Sequence, residues 1–147
     1  MRRNRVCAFT LHFILGLVSA FSMGCSALVS SPAGTVSGDE AFARAFAEHT
    51  SNIQMEGQGV VRRVLTDDND GSRHQRFVVM LSSGQTLLIT HNIDLAPRVV
   101  GLREGDIVSF IGEYAWNAEG GVIHWTHRDA RKRHMPGWIR HNGEVYQ

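Results

Sequence analysis

The chain has 147 residues, of which 15 are basic, 14 acidic and 43% hydrophobic. That length holds about one domain, and so even a charge balance excludes the strongly basic surface of a general nucleic-acid binder. The two cysteines, Cys7 and Cys25, both lie near the N-terminus, so no disulfide can staple a domain formed by the later residues.

Arg2, Arg3 and Arg5 precede an apolar run from Ala8 to Ala20, the order of a secretory signal. The run is shorter than the ~20 apolar residues that a membrane-spanning helix needs. Ser22-Met23-Gly24-Cys25 follows and resembles the lipobox of bacterial lipoproteins, in which the cysteine becomes the lipid-modified first residue. Ser22 stands where leucine is usual, and Val18-Ser19-Ala20 offers an ordinary cleavage site with plain secretion as the alternative. The expectation is a signal peptide over residues 1–24, lipidation of Cys25, and a protein held on a membrane of the bacterial envelope, facing the periplasm or the exterior. Loss of that segment removes three arginines and no acid, leaving twelve basic against fourteen acidic residues.

Residues 25–38, with Ser30-Ser31-Pro32-Ala33-Gly34, read as a flexible tether. Ser37 and Glu40 have the spacing of a capping box, predicting a helix over about Asp39–His49 with Phe42, Ala45 and Phe46 on one stripe. From Gln54 the period becomes two. The first strand runs to about Leu65 and carries Gly57 and Gly59, which suit a bend or bulge. Asp67-Asp68-Asn69-Asp70-Gly71 is a turn; a calcium loop would need carboxylates at positions that here hold Thr66 and Phe77. A second strand over His74–Leu81 and a third over Gln85–Thr90 complete a meander. His91–Arg98 is a structured connection. Gly105–Asp129 then reads as a hairpin, its first arm reaching Tyr114, its turn at Asn117-Ala118-Glu119-Gly120-Gly121, and its second arm spanning Val122–His127. Arg128–Arg133 is a basic loop, and Trp138–Gln147 a short terminal segment with an Asn142-Gly143 turn.

Five main strands in a meander, a connection and a hairpin predict a mainly β domain over residues 39–147. Its architecture is a small five-stranded closed barrel of the oligonucleotide/oligosaccharide-binding type with one N-terminal helix. An open sandwich or SH3-like barrel is the alternative. Closure removes the long apolar sheet edges that a disulfide-free domain of this size would otherwise expose. The expected core contains Val61, Phe77, Val79, Leu87, Ile89, Ile107, Ile111, Val122 and Trp125.

Several strings, among them Leu88-Ile89-Thr90-His91-Asn92-Ile93-Asp94-Leu95-Ala96-Pro97-Arg98, Gly112-Glu113-Tyr114, Gly120-Gly121-Val122-Ile123-His124-Trp125-Thr126-His127 and Gly137-Trp138-Ile139, together resemble a bacterial family of secreted or lipid-anchored proteins, domain of unknown function 3465. The resemblance covers about Ile53–Gln147. It implies an envelope protein without an assigned activity, so no catalytic residue carries over from it.

Two chemistries are legible in the side chains. His91, His124, His127 and His134 lie beside Asp94 and Asp129 in the most distinctive strings, and of these His91, Asp94, His124, His127 and Asp129 are the candidate ligands for a divalent metal such as zinc. Extended backbone would turn His124 and His127 to opposite faces, so convergence needs a strand end or bulge at Trp125-Thr126. The competing reading makes these histidines hydrogen-bonded structural pins. Tyr114 and Trp116 offer flat surfaces for bases or sugars, and Arg128, Arg131, Lys132 and Arg133 offer cations for phosphates. Trp125 and Trp138 are assigned to the core. No nucleophile elbow, phosphate-cradling glycine loop or catalytic cysteine is present. The functional expectation is a non-enzymatic module that binds an extended polymer, nucleic acid or glycan. A metal-dependent hydrolase acting on phosphoesters through the His/Asp cluster is the alternative.

Overall fold

The structure, a computed structural model, describes residues 36–147. The expected signal peptide, Cys25 and the tether up to residue 35 lie outside the described residues. Val36 and Ser37, at the end of the expected tether, form a two-residue strand β1. It is followed by the helix α1 (Asp39–Ala47) and the strands β2 (Ile53–Val64), β3 (His74–Met80), β4 (Thr86–Asn92), β5 (Ile107–Ala115), β6 (Val122–His124), β7 (Trp138–His141) and β8 (Glu144–Tyr146).

The barrel closes through β2. Its residues from Ile53 to Val60 pair antiparallel with β5, while Val60–Val64 pair with β3 across a bulge between Val61 and Arg63. One long strand thus serves two neighbours. β3 pairs antiparallel with β4, β4 parallel with β6, and β6 antiparallel with β5, which completes a five-stranded ring β2-β3-β4-β6-β5. This is the expected closed barrel, and its order places the parallel pair between its third and fifth strands. β7 and β8 extend the sheet beyond β5 as a hairpin turned at Asn142-Gly143, both with positive φ.

Inside the ring lie Met55, Val61, Phe77, Val79, Leu87, Ile89, Val108, Phe110, Tyr114 and Ile123, all at most 1% exposed. The sequence expectation for β2, β3 and β4 holds, but the phase assumed for the hairpin is reversed. Ile107 is 61% exposed and Trp125 40%, and Ile111 and Val122 are only half-buried. Both faces of β5 carry bulky apolar residues, so alternation alone does not say which face turns inward. Phe110 and Tyr114 win because the larger aromatic rings remove more apolar area from water.

The helix closes one end of the barrel. Phe42 is fully buried and meets the rings of Phe110 and Tyr114, each at 6.0 Å between centroids. Gly57 makes room for this contact: a Cβ there would come within 2.7 Å of Phe110 and 2.8 Å of Phe42. Nine residues are too few for a helix to persist alone, so α1 is held by this packing and by Asp39. The Asp39 carboxylate accepts from the Ser82 hydroxyl at 2.6 Å and the Ser83 amide at 2.8 Å. The capping box is not formed. Gly38 occupies the N-cap with no side-chain bond, because Ser37 is engaged as strand beside Glu56.

Candidate functional site

The opposite end of the barrel is where the histidines gather. β3 starts at His74, directly across from Asn92 at the end of β4, and β6 stops at His124. β6 stops because Trp125 takes a left-handed backbone conformation, φ 51°, which no strand can continue. Trp125 therefore swings out of the barrel wall, while Thr126 and His127 turn inward and are buried. His74, Thr90, Asn92, His124, Trp125 and His127 line a small pocket of about 60 Å³. That volume suits about two waters or one functional group of a ligand.

Behind the pocket, His91 pins three segments together. Its Nε2 donates to the Pro97 carbonyl at 3.0 Å, which leaves Nδ1 to accept from the Thr126 hydroxyl at 2.8 Å. Burial pushes the His91 pKa below the ordinary imidazole value. In the pocket wall, His124 Nδ1 lies 3.0 Å from the Thr90 hydroxyl, which also lies 3.1 Å from the Ile123 carbonyl. Burial lowers the His124 pKa as well, partly opposed by the charge of Glu113 across the strand pair.

The loop after β6 folds back over this end. The Gly137 amide donates to the His127 carbonyl at 3.0 Å, and a Cβ at Gly137 would collide with the backbone of Ile111, Trp125 and Thr126. Asp129 organises the loop, its carboxylate accepting from the Arg131 amide at 2.9 Å and from Arg133 through both amide and Nε at 2.8 and 2.9 Å. Those contacts, led by the Arg133 side chain, hold its pKa well below the usual carboxylate range. The loop also lays the His134 ring against Trp125, 4.5 Å between centroids. Arg128, Arg131 and Lys132 remain exposed, and among the described residues no carboxylate pairs with them.

Only part of the expected site is brought together. His124 and His127 do share the pocket, through the strand end that convergence required, while His91 stands outside its lining, bonded to Thr126. Asp94 is turned away, accepting from the Arg73 amide at 2.8 Å and from its Nε at 2.7 Å, and Asp129 is consumed by its own loop. Among the described residues no three His, Cys, Asp or Glu side chains are placed to hold a metal, so the five-residue ligand set is not assembled.

The aromatic expectation needs a larger correction. Tyr114 is fully buried, its hydroxyl donating to the Gly120 carbonyl at 3.1 Å, so it cannot stack on a ligand. Trp116 lies at the helix end, packed on Phe46 and His49, and its indole N–H donates to the Phe46 carbonyl at 3.1 Å. Trp125, assigned to the core from sequence, is the aromatic surface that stands beside the basic loop. His74, Thr90 and Asn92 were missed altogether. Thr90 and Asn92 lie in a distinctive string, but nothing there assigns them to a site with His74, which meets Asn92 only through the pairing of β3 with β4.

The sequence model of the family described as "Protein of unknown function (DUF3465)" matches residues 25–147, and the chain belongs to that family. Neither the curated proteins nor the solved structures contain a match to it.

Proposed function

We propose that the domain is a non-enzymatic binding module for an extended anionic polymer, a single-stranded nucleic acid or an acidic glycan. The observation that carries this reading is Trp125. It is 40% exposed, braced from behind by His134 and followed at once by the unpaired cations of the basic loop. A flat aromatic surface beside Arg128, Arg131 and Lys132 can stack a base or sugar while the cations meet neighbouring negative groups. Barrels of this type present ligands on the outer face of their second and third strands, and here β3 and β4 supply His74, Thr90 and Asn92 to the adjoining pocket.

Fluorescence anisotropy with an oligothymidylate, a uronic-acid oligomer and a neutral oligosaccharide tests the proposal at two salt concentrations. Binding of an anionic polymer that weakens with salt is expected. Trp125→Ala should reduce affinity roughly 5- to 150-fold, the effect of one stacked base at about 1–3 kcal/mol. Failure to bind any of the three at low salt, or equal binding by Trp125→Ala, would refute it. We further propose that Cys25 carries a lipid anchor that holds the module at the bacterial envelope. The arginine, apolar and cysteine order supports this, and mass spectrometry of the mature N-terminus decides it, since a chain starting at Phe21 would exclude the anchor.

A further inference from the structure

We infer that His127 and His134 form a two-histidine site for a divalent transition metal that favours tetrahedral nitrogen coordination, zinc being the representative ion. The inference goes beyond polymer binding and does not depend on it. Each ring has its Nδ1 against a backbone carbonyl, His127 on Arg128 at 2.9 Å and His134 on Met135 at 2.8 Å. A carbonyl only accepts, so each Nδ1 carries the proton and each neutral ring keeps its lone pair on Nε2. This is the arrangement that orients an imidazole for metal binding, in which the remote nitrogen is anchored and the other is left free. Both Nε2 atoms are buried and have no hydrogen-bond partner.

The two rings whose Nε2 atoms lack a partner stand against each other, and one metal ion would satisfy both. The ring centroids stand 5.0 Å apart with planes at 88°. Two imidazoles that share one zinc through bonds of about 2.0–2.1 Å have ring centres roughly 5 Å apart, the separation this pair has. Perpendicular planes are compatible with this, because rotation about each metal to nitrogen bond leaves the bond itself unchanged. Two coordination positions would be left to water or to a group arriving through the pocket that His127 lines. The site differs from the set of His91, Asp94, His124, His127 and Asp129 expected from sequence, keeping one member and drawing the second ligand from the folded-back loop. The backbone bond from Gly137 to His127 holds that loop in place without metal, so the two ligands are brought together before any ion arrives.

The test is a zinc titration of the untagged, zinc-free full-length chain, followed by long-range imidazole ¹H–¹⁵N spectra and by tryptophan fluorescence. One saturable equivalent is expected, moving the Nε2 resonances of His127 and His134, raising the melting temperature and changing the emission of Trp125, which lies against His134. His134→Gln should weaken zinc binding at least about tenfold, equivalent to ~1.4 kcal/mol, and His127→Gln should do the same. His49→Gln, at the helix end of the barrel, should leave it unchanged. Since His127 is buried and its variant can lose the fold, His134→Gln on the loop decides the matter alone. Absence of saturable binding at millimolar zinc, resonance shifts confined to other histidines, or undiminished affinity in His134→Gln would each overturn the site.

Discussion

Replacing His91 by alanine probes both the stability of the pocket end and its response to acid. The side chain is fully buried and ties the end of β4 to the Pro97 carbonyl and the Thr126 hydroxyl. Its removal strands two polar groups, one of them in the fully buried residue Thr126, at about 1–3 kcal/mol each where no water reaches them. It also leaves a cavity the size of the ring. The stranded groups alone predict a loss of about 2–6 kcal/mol, to which the cavity adds, a large part of the ~5–15 kcal/mol that holds a typical domain. Urea titration at neutral pH, read by tryptophan emission, measures it.

The pH arm is the sharper one. Because the folded pKa of His91 lies below the unfolded value of about 6.5, the unfolded chain takes up a proton that the fold resists. Stability is therefore complete above the unfolded pKa and declines as pH falls through the window down to the folded value, by at most ~1.4 kcal/mol per pH unit for each such group. His124 contributes in the same direction, so His91→Ala should flatten the decline without abolishing it. A loss below about 0.5 kcal/mol at neutral pH, within the range of ordinary surface substitutions, or an unchanged pH slope, would refute the role assigned to His91.

Phe42→Ala should destabilise the domain by about 3–5 kcal/mol, as for other fully buried aromatic residues, with chemical denaturation as the measurement. Gly137→Ala should cost at least about 1–3 kcal/mol through overpacking against backbone that cannot step aside, and should change the emission of Trp125 in the folded state. Asp129→Ala should release the basic loop, seen as faster amide exchange at Arg131 and Arg133. With its pKa held so low, Asp129 should keep that loop closed at about pH 4, where an ordinary aspartate is half protonated; the parent's amide protection at that pH is the check.

Much of the fold is legible in the chain because the barrel strands alternate and their turns carry glycine. β3 and β4 read correctly because Phe77 and Val79, and Leu87 and Ile89, fall on one face with Arg76 and Thr90 on the other; Gln75, also inward, is polar and is satisfied by the Val99 backbone. β5 is ambiguous by that measure. Its rejected phase carries Ser109 and Glu113, however, whereas the buried phase of Val108, Phe110, Gly112 and Tyr114 carries no charge, so the signal was present and was outweighed by two isoleucines. The site is less legible for a different reason. Trp125 leaves the wall because one residue adopts a left-handed conformation, and bulk and hydrophobicity argue the other way. His74 and Asn92 are eighteen positions apart and become neighbours only by strand register. His127 and His134 are joined by a loop whose shape depends on Asp129, which the sequence offers equally well as a metal ligand.

The division between the two ends of the barrel bears on what the module can hold. At the helix end the aromatic residues are used up: Phe42 fills the opening, Tyr114 is locked to Gly120, and Trp116 is packed on Phe46 and His49. At the other end Trp125 is outside the wall and lines the pocket together with five polar side chains. That pocket, at about 60 Å³, is far smaller than the ~300–1,000 Å³ sites that engulf a small molecule. On the proposed function, a ligand at this end would lie mostly on the surface and insert at most one substituent. On that reading, such a ligand would gain most of its affinity by stacking on Trp125 and by charge at the loop, both tolerant of sequence, while the inserted group would meet Thr90, Asn92 and the imidazoles, which are particular about hydrogen-bond donors. Extended polymers meet this requirement more readily than compact metabolites, because successive units can occupy the stacking surface and the cationic loop while one projecting group reaches the pocket.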